Sequence, residues 1–447
     1  MQKIILSALL TASLTYLQAQ ETVLPVKEQK GSFYLTNATI HIGNGKVIQN
    51  GTIKVTNGKI DAVGDNIPVP ASADNVTDLK GQDLYPGLIL PTSTLGLIEI
   101  SSVRATQDAR EIGELNPSVR SIVAYNSDSK VINTLRSNGI LLANVVPQGN
   151  FVAGTSSVVQ LDAWNWEDAA YKTDAGLHVY MPSLLPRPSF GGRGGGGFGM
   201  GNFGGQGGDP VKEGLEKMEG LKTFFREAKA YQQLKDRKAT NLKFEAVKDL
   251  FEKKQKLYMH ATTAKQILVA LDFVKEFGFD MVIVGGSESY QVADLLKQHD
   301  VSVILQQPHS LPTAGDDDVD QPYKTAAQLK KAGVLFSISD DDSQTRGRNL
   351  AFNAGTAAAY GLDKEEALAA ITLNAARIMG VADKTGSIEV GKDANIVVSS
   401  GDLLDMRNSN VTAAYIQGRK IDLTDKHKLL NDRFEQKYEL KAPRKGF

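Results

Sequence analysis

The sequence contains no cysteine. Disulfides, zinc–thiolate sites, iron–sulfur clusters and a thiol nucleophile are therefore excluded, as is a lipid anchor built on an N-terminal cysteine. It also lacks an excess of either charge: 50 Lys and Arg stand against 51 Asp and Glu, a formal net charge of −1. A phosphate backbone normally selects a basic face, so nucleic acid is not the expected partner. After residue 20 no stretch has the length and apolarity of a transmembrane helix. No Gly-x-Ser-x-Gly elbow is present. The glycine-dominated stretch 191–208 lacks the Gly-Lys-Ser/Thr ending of a phosphate-cradling loop, and reads as a flexible loop or a lid.

What is there suits a globular chain. It has 447 residues, 41% of them apolar, enough for one large domain and a smaller companion. Residues 1–20 read as an export signal. Lys3 supplies the charge, Ile4 to Leu17 form a mostly apolar stretch too short to span a bilayer comfortably, and Ala19 is a small residue for cleavage. A periplasmic or secreted location is the expectation.

Residues 21–83 show short alternating strands around Phe33–Leu35, Ala38–Ile42, Gly51–Val55 and Lys59–Val63. The pairs Asn44-Gly45, Asn50-Gly51 and Asn57-Gly58 punctuate them, and Asn-Gly is a strong tight-turn signal. From Leu84 the grammar changes to apolar runs alternating with helical stretches. Eight candidate strands are Leu84–Leu90, Ile140–Val146, Ser157–Leu161, Leu177–Met181, Leu257–Ala261, Met281–Val284, Val301–Leu305 and Val334–Ile338. Among the helices, Ala264–Phe277 carries apolar residues at 267, 268, 271 and 274, one helical face. Residues 211–256 read as a long charged helical region with Leu215, Met218, Leu221 and Phe225 as its packing positions.

This pattern predicts an α/β fold: a (β/α)8 TIM-type barrel over 84–385, with a doubly wound open sheet as the rival that periodicity cannot separate. After Gly386 the β grammar returns at Asn395–Ser399 and Ala413–Gln417. Residues 21–83 and 386–424 are thus expected to form one composite β-sandwich from both ends, and 425–447 a charged helix and tail.

Two motifs carry a resemblance. Tyr85-Pro86-Gly87-Leu88-Ile89-Leu90-Pro91-Thr92-Ser93-Thr94-Leu95-Gly96 resembles the first barrel strand of the amidohydrolase superfamily, where Pro-Gly-hydrophobic-Ile-Asp leads to His-x-His. Gly386-Ser387-Ile388-Glu389-Val390-Gly391-Lys392-Asp393-Ala394-Asn395 resembles that family's return into its β sandwich, and Ala367–Gly380 a recurrent helix. The likeness runs from about residue 32 to 422 and is nearest the imidazolonepropionase-like branch. It implies a barrel in which one or two divalent ions, zinc or similar, activate water against a carbon–nitrogen bond of a small molecule.

The same resemblance implies a damaged ligand set. The His-x-His positions are Thr92 and Thr94, the preceding aspartate is Leu90, and the sixth-strand histidine falls near Gly285. A neutral threonine hydroxyl is a poor zinc ligand. His260 falls at the fifth-strand histidine, His178 at the fourth-strand ligand position, and Asp340 at the eighth-strand aspartate that orients or deprotonates water. His178, His260 and Asp340 are therefore the candidate metal ligands, with Asp340 the candidate base. Buried structural histidines and a helix-capping aspartate are the competing readings. His309, after strand seven, is a candidate substrate contact, whereas His41 and His427 receive no role. Two functions follow: a carbon–nitrogen hydrolase, or a catalytically silent binding or scaffold protein on the same fold. An exposed barrel helix offers a face for a homodimer.

Overall fold

The computed structural model of the chain describes residues 23–440 apart from 74, 186–208, 235, 237–238, 314 and 341–344. The expected export signal, the glycine-rich loop 191–208 and residues 441–447 lie outside the described residues.

In chain order, the strands before the barrel are β1 Ser32–His41, β2 Val47–Thr56, β3 Lys59–Gly64, β4 Val76–Asp78 and β5 Asp83–Pro86. The barrel uses β6 Leu88–Ser93, β7 Ile140–Val145, β8 Val152–Gln160, β9 Ala170–Tyr180, β10 Lys256–Ala261, β11 Met281–Gly285, β12 Ser302–Leu305 and β13 Phe336–Ile338. After it come β14 Ile396–Ser399, β15 Val411–Ile416 and β16 Arg419–Lys420.

Both ends of the chain meet in one eight-stranded sheet, ordered β16-β15-β14-β5-β1-β2-β3, with β4 paired to β1. Its buried side chains come from both ends: Leu35, Ile40, Ile53 and Leu84 pack with Ile388, Ile396 and Tyr415. Each such burial is worth about 1.5–3 kcal/mol, so neither end supplies the core alone. Asn57 and Gly58, at φ 48° and 79°, form the expected tight turn between β2 and β3. Asn50-Gly51, by contrast, does not separate strands. It lies inside β2 with Asn50 at φ 50°, where the pairing register with β1 shifts.

The eight barrel strands lie in the order β6 to β13, each beside its sequence neighbour. Seven of the eight expected runs hold a barrel strand each; the first, Leu84–Leu90, splits at Gly87 into β5 of the terminal sheet and β6 of the barrel, and one barrel strand runs the other way. β8 is antiparallel to both β7 and β9, while the remaining neighbours are parallel. The connection 146–151 is too short for a crossover, so the chain must turn back as a hairpin. Tyr258, Val282, Val284 and Ile304 share register on adjacent strands and pack together with Ile378.

The helix Ala264–Phe277 starts at a Thr263–Gln266 capping box and ends at Gly278 with φ 70°. It buries Ile267, Ala270, Leu271 and Phe273, while Leu268 faces solvent at 44% exposure. The region 211–256 is not one helix. Pro210–Gln232 ends before two short turns, Leu242–Glu245 and Lys248–Phe251. Met218, Leu221 and Phe225 are buried as expected, but Leu215 is exposed.

Candidate functional site

At the β6 end, where the resemblance puts threonines at the family's ligand positions, the Thr92 hydroxyl has a different task. No strand ladder joins β6 to β13. Thr92 closes that seam: its Oγ1 lies 2.8 Å from Ser339 Oγ, and its backbone N–H donates to the same oxygen at 3.2 Å. Leu90 is fully buried in the apolar core. Thr94 is 3% exposed, and its Oγ1 has no protein hydrogen-bond partner.

Thr92, Thr94, His260 and Gly285 do converge. They line a cavity of about 310 Å3 at the end of the barrel strands. Gly285 has φ 101°, a conformation that L side chains rarely adopt. The sixth-strand position is thus glycine for a backbone reason, and a histidine there would be strained. The rest of the lining includes Gln148, Tyr180, Thr262, Gln266 and Gln306. No Lys, Arg, Asp or Glu is among the described lining residues.

His260 reaches the cavity from β10, but its Nε2 lies 2.9 Å from Nδ1 of His178 on β9. His178 is fully buried and stacks on Tyr258 at 4.7 Å, while His260 stacks on Tyr180 at 3.8 Å. Burial lowers both imidazoles: His178 falls well below the usual histidine range, helped by the His260 charge, and His260 falls to about 3. Both rings are neutral near pH 7.

Asp340 does not join them. It is 1% exposed, accepts from Arg346 Nε at 2.9 Å and from Asn353 Nδ2 at 3.3 Å, and is not among the cavity residues. The expected set of His178, His260 and Asp340 is therefore not assembled. Among the described residues no three His, Cys, Asp or Glu side chains could hold a metal ion. Two imidazole nitrogens are spent on each other, the carboxylate is turned to a guanidinium, and hydroxyls stand where imidazoles would. This donor set does not fit a catalytic zinc, which needs three protein ligands around an open position.

His309 is also elsewhere. It donates to or accepts from Thr356 Oγ1 through Nε2 at 2.9 Å and lines a separate surface cavity with Phe352, Leu404 and Met406. The turn through Pro308 leaves Gln306, not His309, facing the barrel mouth.

Sequence reasoning passed over Tyr180 and Gln266. Tyr180 lies two residues after His178, so strand alternation puts both on one face. Gln266 was legible as the fourth member of a Thr-x-x-Gln cap, and its amide also donates to Pro182 O at 3.0 Å. Gln148 and Gln306 follow strands and carry no readable pattern.

The amidohydrolase family matches residues 153–421, more than half of the chain. An imidazolonepropionase of Thermoplasma volcanium is 40% identical over 82 residues, 18% of this chain and 20% of that protein. Another, of Flavobacterium johnsoniae, is 35% identical over 81 residues, 17% of this chain and 20% of its own length. The chain thus spans about a fifth of these relatives, on the branch the sequence motifs resemble. A solved amidohydrolase from Thermotoga maritima is similar over 87% of this chain and 99% of its own, with 28% identity and a TM-score of 0.74. With barrel, composite sheet and strand-end cavity in place, the chain belongs to the amidohydrolase family.

Proposed function

We propose that the barrel mouth binds a small, uncharged, polar molecule carrying an amide-type carbonyl, and that binding rather than metal-assisted hydrolysis is its present function. The observation that carries this reading is the lining itself. It offers hydroxyls, amides and one neutral imidazole, and no charged group among its described residues. A charged ligand would lose its hydration there with no charged partner among the described lining residues. Neutral donors and acceptors around a cleft are what a polar, neutral ligand needs. The likeness to imidazolonepropionases puts imidazolone-like cyclic amides first among the candidates.

Hydrolysis of a carbon–nitrogen bond is the second reading, favoured by the family match across most of the barrel. In that case Asp340 is the proposed base, and it would have to leave Arg346 to act. Export is proposed alongside either function, with the mature chain starting near Gln20.

The test uses the mature protein. Calorimetric titration with a series of lactams and cyclic ureides should show saturable binding with no product formed. Chromatography of the same mixtures should show intact ligand after prolonged incubation. Turnover that scales with protein and disappears in Asp340→Asn would replace the binding reading with the hydrolase. Uptake of about one tightly held zinc or manganese ion per chain would overturn the claim that the donor set does not fit a metal.

A further inference from the structure

The geometry points to His178 as a positioning residue: it donates Nδ1–H to His260 Nε2, and thereby fixes the His260 proton on Nδ1, the edge that faces the barrel mouth. Three observations lead there. The two rings share a single hydrogen bond of 2.9 Å between His178 Nδ1 and His260 Nε2. His178 Nε2, on the far side of that ring, is buried with no protein hydrogen-bond partner. His260 lines the cavity and is partly exposed, with its other nitrogen engaged by no described side chain.

Two proton arrangements satisfy the shared bond, and they differ in what is left on His178. If His260 donated, His178 would carry its own proton on Nε2 and bury an unpaired N–H. If His178 donates, Nε2 keeps only an unpaired lone pair. Orphaned buried N–H groups are rare in proteins, whereas under-satisfied acceptors are somewhat less so. Leaving a donor unsatisfied incurs its full desolvation penalty. The second arrangement therefore wins. Its consequence is carried one ring outward: with Nε2 accepting, a neutral His260 must hold its proton on Nδ1. His178 stacks on Tyr258 and His260 on Tyr180, which holds the planes of both rings.

The mouth then meets its ligand with an N–H donor in a cavity that Thr94 also lines. A fixed donor selects an acceptor, such as a carbonyl oxygen, over a donor-only ammonium group. This last step rests on the small-molecule reading above, whereas the proton placement does not.

The experiment is long-range 15N–1H correlation on protein labelled at its six histidine rings, assigned with His178→Phe and His260→Phe. In the ligand-free protein at neutral pH, His260 should show the Nδ1–H form. In His178→Phe, which keeps an aromatic ring against Tyr258, it should revert toward the Nε2–H form of an unconstrained histidine. The lactam 2-pyrrolidinone should perturb His260 Nδ1 and bind about fivefold more weakly to that variant, the loss of roughly one hydrogen bond. A wild-type His260 carrying its proton on Nε2 overturns the inference whatever binds, and this holds even if His178→Phe fails to fold. An Nδ1–H His260 in a protein that takes up no carbonyl probe supports the inference and overturns the ligand reading.

Discussion

Asp340 stands where the resemblance puts an aspartate that orients water, and the structure holds it in polar contacts with its own loop and helix. Its two oxygens accept from Arg346 and Asn353, and it is almost wholly buried. Asp340→Asn should therefore lower stability by about 1–3 kcal/mol, the range for breaking a charge-assisted hydrogen bond. Urea denaturation measures the loss, and lactam affinity should change by less than about twofold. Unchanged stability with abolished binding or turnover would reverse the assignment. Thr92 is a second case. Its hydroxyl pairs with Ser339 across the seam between the first and last barrel strands.

Between elements, two charge clusters join parts distant in sequence. His41 of β1 sits between Glu365, 2.6 Å from Nδ1, and Asp83 of β5, 3.7 Å from Nε2, stacked on Tyr85. Burial alone would lower its pKa, but the hydrogen bonds to Asp83 and Glu365 outweigh it and raise the value to about 9. The folded value lies above the unfolded 6.5, so the stabilisation is complete below pH 6.5 and is lost as pH rises through 9. It is at most about 3 kcal/mol. The urea midpoint should fall between pH 6.5 and 9.5 in the wild type and much less in His41→Gln; parallel curves would refute the linkage. The second cluster is Asp162, 2% exposed, which pairs with Arg136 at 2.8 Å and Arg419 at 3.0 Å and accepts from Val26 N–H at 3.1 Å. It ties the end of β8 to the helix Lys130–Arg136 and to β16. Asp162→Ala strands the buried Arg136 charge and should cost about 3–5 kcal/mol. A loss under about 1 kcal/mol in chemical denaturation would mean the cluster relaxes into water.

Over the whole molecule, the composite sheet makes the two ends of the chain interdependent. β14 lies between β5 and β15 and brings Ile396 and Val398 to the shared core. A chain ending at residue 385 bares the β5 edge and empties part of that core, and should be recovered as aggregate. A soluble, cooperatively melting truncated protein would contradict this. Much of this architecture was legible beforehand. Eight apolar runs, Asn57-Gly58 and the Gly386–Asn395 motif are local signals, since burial on both faces demands apolar strands and positive φ demands Asn or Gly. The threonines at the His-x-His positions of the resemblance were equally legible, because Thr92 and Thr94 are chemically unlike imidazole. The reversal of β8, the pairing of His178 with His260 and the capture of Asp340 by Arg346 were not. Each depends on which atoms arrive within about 3 Å of one another across separate strands and loops. Residue types alone determined that threonines stand at both positions of the His-x-His pattern; only the tertiary structure decided what the histidines and Asp340 contact, because a hydrogen bond is a matter of distance and direction.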